Sequence, residues 1–188
     1  DATNIIAEGE VLQLMNMHDA SLDEAAYLLV IRSKTAKLFE ASARLAAILA
    51  KASSDMEEAC ATYGQALGTA FQVIDDVLDY EGNAAEMGKN LGDDLREGKP
   101  TPLMAIATAR ANAAQLKELQ LVGNQDLTSE QVARVQEVIR ETGALDELET
   151  VITRLTDEAI AAVQHVPFAQ SVRDELITLA EYVSWRTV

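Results

Sequence analysis

Apolar residues recur every three to four positions along most of this 188-residue chain, the period of helices that bury one face, and strand-like alternation is nearly absent. Side chains that can accept the first free backbone N–H groups of a helix interrupt the pattern at intervals. Ser21-Leu22-Asp23-Glu24 and Ser54-Asp55-Met56-Glu57 have capping-box spacing, while Thr101-Pro102 and Thr128 through Gln131 mark later starts. About seven helices follow, over roughly 2–18, 22–50 with a break near Ser33, 55–80, 102–121, 129–142, 144–165 and 170–186. Gly143 suits the end of the fifth, and Pro167 cannot continue the sixth. The expected architecture is all-α, a single domain over residues 1–188, with a motif-bearing region at 1–102 and C-terminal helices at 103–188. One long irregular stretch, EGNAAEMGKNLGDDLREGKP at 81–100, holds four of the nine glycines. Irregular stretches of that length inside a compact domain are usually functional or disordered.

Composition narrows the classes of partner. Acidic residues outnumber basic ones 31 to 15, a formal charge of -16, so a nucleic-acid backbone would be repelled. Cys60 is the only cysteine and has no internal disulfide partner, and no apolar run reaches the roughly 18 residues of a membrane span. A reduced, cytoplasmic setting is expected. The start, DATNIIAEGE, has neither an initiator Met nor a signal-like pattern, which reads as part of a longer polypeptide.

The chemistry concentrates in GTAFQVIDDVLDYEG, residues 68–82. At helical spacing Gln72, Asp75, Asp76 and Asp79 fall within an arc of about 100°, while Phe71, Ile74, Val77 and Leu78 take up much of the remaining circumference. Such a helix should be buried, so its acidic face should line a cavity. Left alone the arrangement is unfavourable: like charges at contact spacing cost roughly 0.2–0.5 kcal/mol each. Carboxylates near a helix C-terminus also oppose the macrodipole, by about 0.3–1 kcal/mol. Mg²⁺ resolves the conflict, since it prefers carboxylate oxygens and commonly completes its shell with water and substrate phosphate.

A lone DDxxD pattern is more often a solvated helix face, but its neighbours change the picture. GKNLGDDLREGKPTP at 88–102 sets Lys89 and Lys99 on either side of Asp93 and Asp94. Lysines beside a carboxylate–metal site are what a diphosphate needs, because ammonium groups reach oxygens that the metal does not. Upstream, Lys34-Thr35 lies mid-helix in RSKTAKLFEAS.

Together, AEGEVLQL at 7–14, KTAKLFEAS at 34–42, GTAFQVIDDVLDY at 68–80 and GKNLGDDLREGKPTP at 88–102 resemble the C-terminal part of a trans-polyprenyl diphosphate synthase. The nearest likeness is to bacterial long-chain enzymes of the octaprenyl type. The resemblance implies a prenyl-synthase helical bundle, incomplete at its N-terminal side. It also implies a prenyltransferase that joins isopentenyl diphosphate to an allylic diphosphate, making a long all-trans chain for isoprenoid quinones. In that family two aspartate-rich motifs hold Mg²⁺ against the allylic diphosphate. DDVLD matches the second, and the first has no counterpart in this sequence. By resemblance Asp75, Asp76 and Asp79 are metal ligands, and Lys34, Lys89 and Lys99 bind diphosphate. Lys34, Thr35 and Gln72 are the implied catalytic residues, Thr35 and Gln72 directing neutral oxygen dipoles at the carbocation, with Asp93 and Asp94 in the matching loop. The face awaiting the absent helices should be apolar and drive self-association to a homodimer. The 188-residue chain alone is expected to be inactive.

Rival readings fare less well. A di-iron bundle needs Glu-x-x-His pairs, which do not occur. An EF-hand beginning at Asp79 fails because its sixth position is Ala84 and its twelfth Asn90. His18 and His165 lie outside every motif, and neither pairs with a nucleophile in the pattern. A terpene cyclase, or a noncatalytic subunit on the same scaffold, shares part of the signature. The GDDLREGKPTP loop favours chain elongation by resemblance.

Overall fold

A computed structural model describes residues 2–16, 24–81, 93–99 and 101–185. They form ten α-helices and one π-helical turn. In chain order these are α1 (Ala2–Met15), α2 (Glu24–Ile31), the π turn (Arg32–Ala36), α3 (Lys37–Leu49), α4 (Ser54–Glu81) and α5 (Asp93–Glu97). Then come α6 (Pro102–Arg110), α7 (Ala113–Leu119), α8 (Ser129–Glu141), α9 (Ala144–Gln164) and α10 (Gln170–Trp185). No strand occurs among the described residues, as the periodicity predicts.

Local signals place several boundaries correctly. Thr101 caps α6, its hydroxyl accepting the Met104 N–H at 3.4 Å, with Pro102 in the first turn where a missing N–H costs nothing. Thr128 and Gln131 form the capping box of α8, and Gly143 follows that helix with φ +70°, a conformation that favours glycine. Arg110 adds to this end by donating to the Thr142 and Gly143 carbonyls at 3.4 and 3.2 Å. Three expectations need correction. The 102–121 segment is two helices, because Ala111 is extended and Asn112 opens a new capping box with Gln115. The start of α4 is capped by Ser53, whose hydroxyl takes the Met56 N–H, one residue earlier than expected. The irregular 81–100 stretch contains the short helix α5. The expected cap at Ser21 lies outside the described residues.

The chain falls into two compact units, residues 1–12, 28–74 and 151–186 in one, and 13–27, 75–150 and 187–188 in the other. In the first, Ala61, Ala66, Leu67, Ala70 and Val73 of α4 are buried, and the Tyr63 hydroxyl donates to the Leu176 carbonyl of α10 at 2.8 Å. Burial pushes the Tyr63 phenol up to about 12, so it stays neutral. In the second, Leu95, Leu103, Val135, Val138 and Leu148 are almost fully enclosed. Exposed apolar side chains in the first unit cluster at helical spacing on α3 (Leu38, Leu45, Ile48 and Leu49) and on α10 (Val172, Leu179 and Tyr182).

Small residues bring three backbones of the first unit together. A Cβ on Gly9 of α1 would sit 2.5 Å from the Lys34 backbone nitrogen, and one on Gly68 of α4 would sit 2.8 Å from the Ala36 Cα. The π turn between them is therefore gripped on two sides by helices that approach only because those side chains are hydrogen atoms. Alanine ordinarily stabilises a helix interior by about 1 kcal/mol over glycine. Here Gly9→Ala and Gly68→Ala are each expected to reverse that sign and destabilise the protein by about 1–3 kcal/mol, because backbone atoms cannot move aside cheaply. Urea unfolding midpoints check this; an unchanged or raised midpoint for both variants would refute the grip.

Candidate functional site

Two groups of functional side chains emerge, one in each unit. The first sits on the π turn. The expected break near Ser33 is a five-residue π-helical segment, Arg32–Ala36, inserted between α2 and α3. π turns inside α-helices are frequent at functional sites, since the wider ring re-aims side chains that a regular helix would stack. It carries Lys34 and Thr35. The Thr35 hydroxyl donates to Gln72 Oε1 of α4 at 2.9 Å, joining two residues 37 positions apart. Lys34 Nζ lies 2.9 Å from a Glu10 carboxylate oxygen on α1. Lys34 is about one-third exposed and Glu10 half exposed, so this pair is worth little as a stabilising contact and leaves Lys34 able to change partners. Glu10 escaped the sequence reading of site residues. It lies within the AEGEVLQL stretch, but nothing in its spacing ties it to Lys34.

The second group is built on the C-terminal turns of α4. Ile74 and Tyr80 are buried, and the three aspartates that share this helix differ sharply in exposure. Asp75 is exposed, Asp79 half-buried, and Asp76 only 1% exposed. Burial of an ionised carboxylate is costly unless it is paired. Lys99 supplies the charge, with Nζ donating to Asp76 Oδ1 at 2.8 Å. The Tyr27 hydroxyl donates to Asp76 Oδ2.

Local structure explains why Lys99 arrives there. Buried Leu95 anchors α5, and its carbonyl accepts the Gly123 N–H at 2.8 Å. Gly98, with φ +67°, then turns the chain. Just beyond, the Thr101 and Tyr80 hydroxyls share a 2.9 Å hydrogen bond, and Gln136 donates to the Tyr80 carbonyl. Lys99 is thus flanked by Leu95 and Thr101, both fixed in the core of this unit.

Thr35 therefore meets Gln72, and Lys99 meets Asp76, as members of separate sequence motifs. Lys89 lies outside the described residues; Asp93 and Asp94 open α5. Among the described residues no group of three or more His, Cys, Asp or Glu side chains converges to hold a metal unaided. Asp75 and Asp79, one turn apart on α4, are donors of the kind Mg²⁺ uses, since it typically takes one or two carboxylates and fills its remaining positions with water and phosphate. Nucleophilic chemistry finds no support in Cys60, whose thiol burial pushes up and keeps protonated, or in His165, which is exposed; His18 is outside the described residues. No helix among the described residues is long and apolar enough to cross a membrane.

A family model described as polyprenyl synthetase matches residues 1–142. The octaprenyl diphosphate synthase of Haemophilus influenzae is 42% identical over 180 residues, 96% of this chain and 54% of that protein. The enzyme of the same name from Escherichia coli is also 42% identical, over 96% of this chain and 55% of its own length. A crystal structure of a polyprenyl synthase from Caulobacter crescentus, complexed with calcium and isoprenyl diphosphate, superposes with a TM-score of 0.92 at 40% identity, covering 100% of this chain and 57% of the other. A geranylgeranyl pyrophosphate synthase from Corynebacterium glutamicum, complexed with isoprenyl diphosphate and magnesium, gives 0.91 at 32% identity, covering 98% and 53%. The chain spans about half the length of the curated relatives it matches.

Proposed function

Because the chain belongs to the polyprenyl synthetase family, we propose that it forms the second metal- and diphosphate-binding wall of a trans-polyprenyl diphosphate synthase. The reaction joins isopentenyl diphosphate to an allylic diphosphate, and repetition yields a long all-trans chain suited to isoprenoid quinones. One observation carries the reading. Lys99 of the glycine-rich loop closes on Asp76 of DDVLD across 23 residues, so that two motifs with diphosphate chemistry meet in one place.

Each group has its own task. Asp75, Asp76 and Asp79 are the carboxylates proposed to hold Mg²⁺, Asp75 and Asp79 lying one helical turn apart. When bound, the metal would supply Lewis-acid stabilisation of the departing diphosphate. Lys34, Lys89 and Lys99 place ammonium groups against diphosphate oxygens as the allylic C–O bond breaks and its electron pair leaves with the diphosphate. Thr35 and Gln72 offer neutral oxygen dipoles that steady the resulting carbocation without capturing it. The isopentenyl double bond then attacks to form the new C–C bond, and a proton passes to the departed diphosphate, which restores an alkene.

A homodimer is part of the same proposal, supported by the apolar side chains exposed on α3 and α10. The long-chain product is supported by the octaprenyl relatives at 42% identity. A thermal-melt series tests the site. Mg²⁺ with inorganic diphosphate is expected to raise the melting temperature, because a ligand bound only by the native state stabilises it. Asp75→Ala and Asp79→Ala should abolish the rise. An equal rise in both variants would remove these carboxylates from the site.

A further inference from the structure

We propose that Tyr27 is a positioning residue for diphosphate binding: its hydroxyl orients Asp76, which in turn holds the Lys99 ammonium where a diphosphate oxygen can reach it. This rests on the reading of the site above and adds a residue that no motif contains. Tyr27 lies midway along α2, 49 residues from Asp76 in sequence, and is 4% exposed. The phenol donates to Oδ2 and Lys99 to Oδ1, so the carboxylate is held at both oxygens.

Two attachments do what one cannot. A carboxylate bound only by a lysine can pivot about that contact, and the flexible lysine stem moves with it. Tyrosine brings its hydroxyl on a rigid ring with two torsions, and here the ring is itself packed in the core. The donor is also neutral. It orients Asp76 without weakening the attraction between Asp76 and Lys99, as a second cation would. Partners that act through a ligand in this way are commonly worth 10–100-fold in affinity or activity.

Phosphorus-31 NMR titration of the 188-residue protein with inorganic diphosphate and Mg²⁺ tests the idea. Tyr27→Phe removes the hydroxyl and keeps the ring. It is expected to raise the dissociation constant roughly tenfold or more, while circular dichroism shows the helical content retained. In a Lys99→Met background the same change should cost little further, because the lysine it positions is gone. Equal losses in both backgrounds would mean that Tyr27 merely supports the fold, and would overturn the proposal. So would an unchanged affinity in Tyr27→Phe alone, which leaves the wider site reading intact. If the unmutated protein fails to bind magnesium diphosphate, that reading falls and takes this one with it.

Discussion

Replacing Lys99 by methionine is expected to lower the stability of the protein by about 3 kcal/mol, toward the low end of what breaking a buried ion pair costs. The loss comes from Asp76, which is 1% exposed and would keep its charge without the Lys99 ammonium. Two features keep the effect from the top of the range. The Lys99 side chain is itself 20% exposed, and Tyr27 still donates to the carboxylate in the variant. Urea unfolding measures the change. The double variant Asp76→Asn with Lys99→Met should recover part of it, since the buried charge is removed together with its partner. Equal midpoints for Lys99→Met and the parent protein would show that the pair contributes nothing, and that Lys99 is free to serve diphosphate at no structural cost.

The second large effect concerns catalysis by the chain on its own. With Mg²⁺, farnesyl diphosphate and labelled isopentenyl diphosphate, the 188-residue chain is expected to form no elongated product. A chimera that places it behind the N-terminal part of a full-length octaprenyl diphosphate synthase should elongate. The chain spans about half the length of such relatives. Ionisation calls for charge stabilisation around the whole diphosphate, and attack calls for a second substrate held against the cation. Positioning of that kind supplies roughly 7–11 kcal/mol, so its loss corresponds to at least about 10⁵-fold in rate. Robust elongation by the chain alone would overturn the claim that a further wall is required. A chimera that folds and binds magnesium diphosphate without elongating would favour the noncatalytic-subunit reading.

The parts of the fold legible in sequence are those decided within a few residues. Thr101-Pro102, the Thr128–Gln131 box and Gly143 end or begin helices because an N–H or a left-handed turn is satisfied by a neighbour three or four positions away. The shared face of Asp75, Asp76 and Asp79 follows from helical spacing alone, and Lys34-Thr35 could be singled out by residue type and company. Where local signals compete, as at Ser53 against Ser54, spacing chose the wrong residue, because either hydroxyl could have capped α4.

What spacing could not decide is how the three aspartates divide their roles. Nothing local distinguishes Asp76 from Asp75, yet one is buried between a lysine and a tyrosine and the other faces solvent. That difference is set by chain segments 23 and 49 residues away, whose arrival depends on how α2, α5 and α6 pack. The Lys34–Glu10 pair and the grip of Gly9 and Gly68 on the π turn are of the same kind. The sequence alone determined which side chains carry charge and which helix presents them. Tertiary packing decided which charges are desolvated, and so which must be paired, because desolvation depends on everything that surrounds a group and not on its neighbours along the chain.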